Sequence, residues 1–209
     1  MAAEPIQVFV SILPQQYIVQ QIGAKQVSVQ TLVAPGADPH TYEPKPGQMA
    51  DLTKARLYFS IGMSFEKAWL PKIATANPGM KVVAADQGIT KLPMEGHDHG
   101  QGHGHASSHE EESLDPHVWL APPLVKTMAQ TVRAALVEAA PEHAARFEEN
   151  YRQFARQMDD LDGQIRALLA GKQGSRFIAF HPSWGYFAKA YGLVQIPVEI
   201  EGKEPKAAQ

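Results

Sequence analysis

Three histidines of the chain, His40, His117 and His181, stand next to prolines in a way that favours metal binding. The first two each end an Asp-Pro-His sequence, and the third is followed by Pro182. Proline restricts the local backbone, so less entropy is lost when an imidazole is fixed toward an ion. The chain has no cysteine, so a transition metal would have to bind His, Asp or Glu. Three imidazoles with one oxygen form a common tetrahedral set for zinc.

Carboxylates near these histidines are candidates for holding the imidazole rings. Asp38 and Asp115 each lie two residues before a histidine, where a carboxylate can accept the second ring N–H and fix the tautomer. Glu43 lies three residues after His40. Any one histidine alone is also compatible with an ordinary core or loop position, and the repeated Asp-Pro-His context is what favours ligation. His143 is interpreted as a solvated helix residue.

The segment from Glu95 to Asp115 differs in composition from the rest of the chain. It consists largely of Gly, His, Ser and acidic residues and contains no Lys or Arg. Its five histidines are His97, His99, His103, His105 and His109. This composition predicts a mobile loop that binds metal weakly and exchangeably. The alternative is a flexible polar linker whose histidines are incidental.

The composition of the whole chain excludes several classes of partner. The 209 residues are 44% apolar and 20% charged, which is typical of a globular protein. A formal charge of −3 provides no electrostatic basis for binding nucleic acid or an anionic membrane. No apolar run approaches the roughly 18 residues of a membrane-spanning helix. The first residues lack a signal-peptide pattern, which fits either a cytosolic protein or a mature exported form.

Short apolar runs alternate with helix-like segments in the first half of the chain. Such alternation predicts a parallel sheet covered by helices, in an α/β lobe spanning residues 5–140. Ligands collect where the strands of such a sheet end, and His40 and His181 both follow predicted strands. The predicted strands of this lobe are Val8–Leu13, Val27–Val33, Leu57–Ile61 and Lys81–Ala85, and its helices are 15–22, 46–54, 65–73 and 122–140.

A long helix is predicted over residues 142–171. Its apolar residues recur at steps of four and three, which places one stripe along the helix. The stripe comprises Phe147, Tyr151, Phe154, Met158, Leu161, Ile165 and Leu168. A coiled coil would also use such a stripe, but fewer than four heptads in an α/β chain favour a packed spine.

A second α/β lobe is predicted to begin near residue 175. The chain shows a strand at Arg176–Phe180, a helix at Ser183–Tyr191 and a strand at Leu193–Ile200. Because two strands and one helix cannot cover both faces of a parallel sheet, we expect that 175–209 is only the start of this lobe. The fold class expected is therefore α/β, with two parallel-sheet lobes joined by one long helix and the second lobe incomplete.

Several short motifs occur along nearly the whole chain, from about Val8 to Pro205. Their combination and their order along the chain are typical of one protein family. The motifs are PGADPHTYEP at 35–44, GMSFE at 62–66 with WL at 69–70, the histidine-rich segment, LDPHVWL at 114–120, His181 with YFAK at 186–189 and YGL at 191–193, and EGKEP at 201–205. In this combination the chain resembles the ZnuA-type metal-binding proteins of bacterial zinc ABC importers. The resemblance implies two α/β lobes with the ion between them, a periplasmic location, and delivery of zinc to a membrane permease driven by an ATPase.

The resemblance also assigns metal ligands. His40, His117 and His181 match the family's three imidazole positions. Manganese-selective relatives tend to carry a carboxylate where this chain has His181, and nitrogen-rich coordination favours Zn²⁺ over Mn²⁺. A fourth ligand, often Asp or Glu, can come from a stretch absent here. We therefore expect weaker retention of zinc than in a complete family member, and self-association through apolar sheet edge near Val194–Ile200.

Two other function classes remain open from the sequence. A three-histidine zinc site with an open water position can also be hydrolytic, and Glu43 is the carboxylate nearest in sequence to a ligand. Glu43 precedes Pro44 and lacks a His-Glu-x-x-His helix, so a binding protein is favoured over an enzyme. A metal buffer or adhesin is the third class, suggested by the histidine-rich loop.

Overall fold

The computed structural model describes residues 4–38, 41–94 and 114–199. The described residues form two packed units. Unit 1 contains the residues up to Ile89 and those of Pro123–Asp160. Unit 2 contains the residues of Thr90–Pro122 and those from Leu161 onward.

Unit 1 is built on a four-stranded parallel sheet with the strand order β2-β1-β3-β4. In the central pair, Val8 lies opposite Leu57 and Val10 opposite Phe59. Both strands of this pair are almost completely buried, as expected when helices cover both faces of a parallel sheet. The elements are β1 (Ile6–Val10), α1 (Leu13–Gly23), β2 (Val27–Thr31), α2 (Pro46–Leu52), β3 (Leu57–Ser60), α3 (Ser64–Ala76) and β4 (Lys81–Ala84).

The first strand shows how the predicted and observed boundaries differ. The apolar run predicted a strand over Val8–Leu13, whereas β1 is Ile6–Val10 and α1 already begins at Leu13. Pro14 sits in the first helical turn, where its missing N–H costs no hydrogen bond. The end of the apolar run therefore belongs to the start of the helix and not to the strand, with Ile12 buried and Leu13 43% exposed.

Two long helices follow, and the second is the predicted spine. Helix α4 spans Pro122–Ala139, a 3-10 turn spans Pro141–His143, and α5 spans Ala144–Leu168. The predicted long helix is thus present, although it is shorter than 142–171: residues 142 and 143 belong to the 3-10 turn, and the helix ends at Leu168. The predicted stripe is buried only in part: Phe147 and Phe154 are buried, whereas Leu161 is 41% and Leu168 is 80% exposed.

Unit 2 contains a strand–helix–strand arrangement. Strand β5 (Arg176–Ala179) is followed by α6 (Gly185–Tyr191) and β6 (Val194–Pro197), and the two strands pair in parallel with Ala179 opposite Pro197. Gly192 ends α6 with a φ of 69°, a left-handed conformation that glycine adopts without steric cost.

The α/β class, the parallel sheet and the long helix predicted from the sequence are confirmed. The division into lobes at 5–140, 142–171 and 175–209 stays a prediction. Among the helices of the described ranges, none is both long and apolar enough to cross a membrane.

Candidate metal centre

His117 is held by the carboxylate two residues before it. Asp115 Oδ1 lies 2.6 Å from His117 Nδ1 and also accepts the backbone N–H of His117 at 2.8 Å. Both residues are buried, with 2% of Asp115 and 5% of His117 exposed. A carboxylate can only accept hydrogen bonds, so Nδ1 carries the donated proton, and in the neutral ring the lone pair is on Nε2. This is the tautomer that a metal-binding imidazole needs.

His181 has the same kind of partner, supplied by a more distant part of the chain. Its Nδ1 lies 2.9 Å from Glu199 Oε2. The pairing of β5 with β6 continues past the strands, since the backbone N–H of Glu199 donates to Phe180 O at 2.9 Å. This continuation brings Glu199 beside His181, because both residues follow the ends of neighbouring parallel strands.

The two imidazoles lie next to each other within unit 2. The ring centroids of His117 and His181 are 5.1 Å apart, and the ring planes make an angle of 72°. Trp119 contacts His117 with a centroid separation of 5.1 Å. Both rings use Nδ1 for a carboxylate, and their separation is short enough for two Nε2 atoms to reach one ion at about 2.0–2.1 Å each.

Helix α6 supports the loop that carries His117. The hydroxyl of Tyr186 donates to Asp115 O at 2.7 Å and accepts the N–H of Leu92 at 3.0 Å. A Cβ on Gly185 would lie only 3.3 Å from Asp115 Oδ2. The first turn of α6 therefore limits how far the Asp115 carboxylate can move.

The segment after His181 is also fixed. The backbone N–H of Trp184 donates to Gln195 Oε1 at 2.8 Å, and Gln195 is buried. The N–H of Ser183 donates to His181 O at 2.8 Å. These contacts tie the turn between β5 and α6 to β6, the strand that leads to Glu199.

The other predicted site residues have different positions. His40 lies outside the described residues, as do the loop histidines His97, His99, His103, His105 and His109. Asp38 is exposed and accepts a hydrogen bond from Thr41 Oγ1 at 3.0 Å. Glu43 is exposed. Within the ranges that the structure describes, no group of three or more His, Asp or Glu side chains is arranged to hold a metal ion. Of the predicted ligands, the structure brings His117 and His181 together there.

Sequence reasoning missed Glu199. In the structure, Glu199 follows β6 by two residues, just as His181 follows β5 by two residues. The prediction extended both strands too far, to Phe180 and Ile200, and therefore treated Glu199 as part of a strand. Strand β6 ends at Pro197, which leaves the carboxylate at the sheet edge.

A second buried carboxylate, Glu66 in unit 1, was also missed. Its oxygens accept hydrogen bonds from the N–H groups of Ile61 and Gly62 and from the Ser11 hydroxyl, which also contacts Tyr58. Burial raises the pKa of the Glu66 carboxyl, and the three hydrogen bonds oppose that rise only in part. Glu66 follows β3 by six residues, and the pattern of the sequence placed it on a helix without indicating its burial.

Known proteins resemble this chain along almost its whole length. The family model "Zinc-uptake complex component A periplasmic" (ZnuA) matches residues 8–209. The "High-affinity zinc uptake system protein ZnuA" of Bacillus subtilis is 30% identical over 211 residues, covering 98% of this chain and 65% of the relative. The chain thus spans about two thirds of that relative's length.

Solved structures agree with this match. The structure titled "Crystal structure of ZnuA" is 42% identical with a TM-score of 0.85, covering 98% of this chain and 74% of the other. The "138-173 ZnuA deletion mutant plus zinc bound" matches with the same identity, TM-score and coverage. The match of fold, sequence and family model favours a binding protein over a hydrolase. On this evidence, the chain belongs to the ZnuA family of metal-binding proteins.

Proposed function

We propose that this chain binds zinc reversibly as cargo, using His40, His117 and His181 as ligands. The observation that carries the proposal is the pair of imidazoles 5.1 Å apart, each with a carboxylate at Nδ1. Such carboxylate–histidine pairs hold the ring in the orientation and tautomer that a divalent metal requires. The zinc-bound structure of the ZnuA deletion mutant at 42% identity further supports zinc.

Zinc titration of single alanine variants tests the ligand set. His117→Ala and His181→Ala should each abolish the one tight zinc equivalent, and His40→Ala should do the same. His143→Ala is the matched control, because this half-buried histidine packs edge-to-face against Phe147 in a different unit. Retention of the tight equivalent in any of the three ligand variants would contradict the corresponding assignment.

The choice of zinc over manganese rests on ligand chemistry. Neutral imidazole nitrogens suit zinc, whereas manganese prefers carboxylate, carbonyl and water oxygens. Competition titrations with both ions should give preference for zinc, and a preference for manganese would overturn this part of the proposal.

The histidine-rich segment is proposed as an auxiliary site that collects metal. Deleting Gly96–His109 should remove the weak, exchangeable equivalents and leave one tight equivalent. A metal buffer would instead lose most of its bound zinc on this deletion. Equilibrium dialysis at fixed pH and salt separates the two outcomes.

The match to the ZnuA family supports a proposal about partners and location. We propose that the protein is periplasmic and delivers zinc to the permease and ATPase of an ABC importer. Zinc-limited growth of a strain lacking its own zinc-binding component should be restored by the wild-type protein in the periplasm and not by His117→Ala. Equal growth with both would contradict the transport role.

We propose that the chain self-associates through exposed apolar side chains on β5 and β6 and at Phe180, which directly follows β5. Ile178, Phe180 and Val194 are 75%, 57% and 44% exposed, and exposed strand edges with apolar side chains promote pairing between copies. Ile178→Lys should lower the weight-average sedimentation coefficient at high protein concentration. Val82→Lys, at a 37% exposed position of unit 1, should not.

A further inference from the structure

Glu199 and Asp115 place two carboxylates behind the two described imidazoles. Asp115 Oδ1 is 2.6 Å from His117 Nδ1, and Glu199 Oε2 is 2.9 Å from His181 Nδ1. The side chains of Asp115 and Glu199 are only 3% and 16% exposed. Solvent therefore screens these charges less than it would at an open surface.

These two carboxylates can offset part of the positive charge of a bound zinc ion. Three neutral imidazoles leave both positive charges of a zinc ion uncompensated by its direct ligands. A carboxylate one hydrogen bond behind an imidazole makes that ring a better electron donor and offsets part of the metal charge through it. Two such carboxylates supply two negative charges close to the ion without occupying a coordination position.

We propose that Glu199 is a positioning residue for zinc binding: it holds His181 with Nε2 available to the metal and supplies part of the counter-charge. This inference rests on the proposed function, and it adds a residue that neither the sequence motifs nor the predicted ligand set contain. Asp115 has the equivalent relation to His117. Each of the two imidazoles of unit 2 thus has a carboxylate at Nδ1 that leaves Nε2 for the metal.

The geometry of the backbone explains why Glu199 can do this reliably. Val198 N–H donates to Ala179 O and Glu199 N–H donates to Phe180 O, both at 2.9 Å. These bonds continue the parallel ladder of β5 and β6 to the residue before His181. The Glu199 backbone is therefore fixed relative to His181 by main-chain pairing, and the side chain has only to span the remaining gap.

Glu199→Gln separates the charge from the shape of the side chain. The amide keeps nearly the same size but loses the negative charge, and its NH₂ group can donate to Nδ1 and stabilise the tautomer that has no lone pair on Nε2. We expect Glu199→Gln to weaken zinc binding about 10–100-fold. Glu149→Gln is the matched control: it removes the same charge from a largely exposed pair with Arg152 in unit 1, and it should leave zinc affinity unchanged.

Nitrogen-15 NMR of histidine-labelled protein reports which ring nitrogen of His181 carries the proton and which binds the metal. These signals would not change if Glu199 acted only on the stability of the fold. Zinc-loaded wild-type protein should show His181, assigned by its loss in His181→Ala, with a proton on Nδ1 and the metal on Nε2. In Glu199→Gln these His181 signals should shift, while those of His117 stay as in the wild type. The wild-type spectrum tests the proposal even where the variant folds poorly.

The outcomes distinguish this proposal from the proposed function. Failure of the wild-type protein to bind zinc would contradict both the proposed function and the proposed role of Glu199. Zinc binding by the wild type with affinity within twofold in Glu199→Gln would overturn the positioning role alone. Weaker binding with unchanged His181 signals and a lower unfolding temperature would also overturn it, since Glu199 would then act only on stability.

Discussion

Tyr186 links the first turn of α6 to the backbone that precedes His117. Its hydroxyl donates to the Asp115 carbonyl at 2.7 Å and accepts the Leu92 N–H at 3.0 Å, and Tyr186 is 4% exposed. One buried hydroxyl thus connects three separate segments of unit 2. The position of the Asp115 carboxylate, and through it the orientation of His117, depends on this connection.

Tyr186→Phe removes the hydroxyl and leaves two backbone groups without this partner. Because unsatisfied polar groups in partly buried positions are costly, the free energy of unfolding should fall by about 1–3 kcal/mol. Zinc affinity should fall by up to about 10-fold, as for other outer partners of metal ligands. Urea denaturation and zinc titration measure the two effects. Tyr17→Phe, at a 52% exposed position, should change neither, and equal effects in both variants would contradict the argument.

Gly185→Ala should disturb the site with little change in overall stability. The added Cβ would lie 3.3 Å from Asp115 Oδ2, so the carboxylate must move by a few tenths of an ångström away from its position against His117. We expect a several-fold loss of zinc affinity in a titration. Unchanged affinity would show that Asp115 tolerates the shift.

Gly163→Ala serves as the control for that substitution. Gly163 is exposed within α5, and a Cβ there has no neighbour within 4 Å. Alanine should raise the free energy of unfolding by about 0.5–1 kcal/mol because glycine is unfavourable inside a helix. Zinc affinity should stay at the wild-type value.

The stability of unit 2 should depend on pH through Asp162. Partial burial opposes ionisation, but hydrogen bonds from Arg166 and Tyr191 and the charge of Arg166 lower the pKa of Asp162 below its ordinary value of 3.8. The ionised form therefore stabilises the fold above that value, and this contribution is lost as the pH falls through the folded-state pKa. In Asp162→Asn, the free energy of unfolding should therefore fall less steeply with decreasing pH in the acidic range than in the wild type. Asp160→Asn, at an exposed position of the same helix, should not.

Glu66 should produce a pH dependence of the opposite sign. Burial raises its pKa above 4.5, with Asp86 adding to the rise, so the protonated form is favoured in the folded state. The contribution of the protonated Glu66 carboxyl to the free energy of unfolding is fully present below pH 4.5. This contribution is lost as the pH rises through the folded-state pKa. The stability of Glu66→Gln relative to wild type should therefore increase as the pH is raised from about 4 to about 8.

Chemical denaturation across that pH range measures the Glu66 effect. Glu43→Gln is the control, because Glu43 is exposed and its replacement should leave the difference from wild type independent of pH. A constant difference for Glu66→Gln as well would show that the carboxylate has the same proton occupancy in the folded and unfolded states.

The alternation of short apolar runs and helical patterns was enough to predict the parallel sheet and the long helix. These patterns are local: burial on both faces favours continuous apolar strands, and a helix shows its buried side every three to four residues. Boundaries were less accurate. The prediction extended β5 to Phe180 and started the long helix at residue 142, because nothing in the periodicity marks where the ladder ends or where a turn becomes 3-10.

The sequence by itself determined the α/β class, the candidate histidines and the Asp115–His117 pair, since those two residues are only two positions apart and a short segment can bring them together. Only the tertiary structure decided that Glu199 meets His181, that Tyr186 holds Asp115, and that Glu66 is buried. These partners are 18, 71 and up to 55 residues apart along the chain. Their contacts depend on strand register and helix packing, which arise from the burial of the whole core and are not encoded in any local pattern.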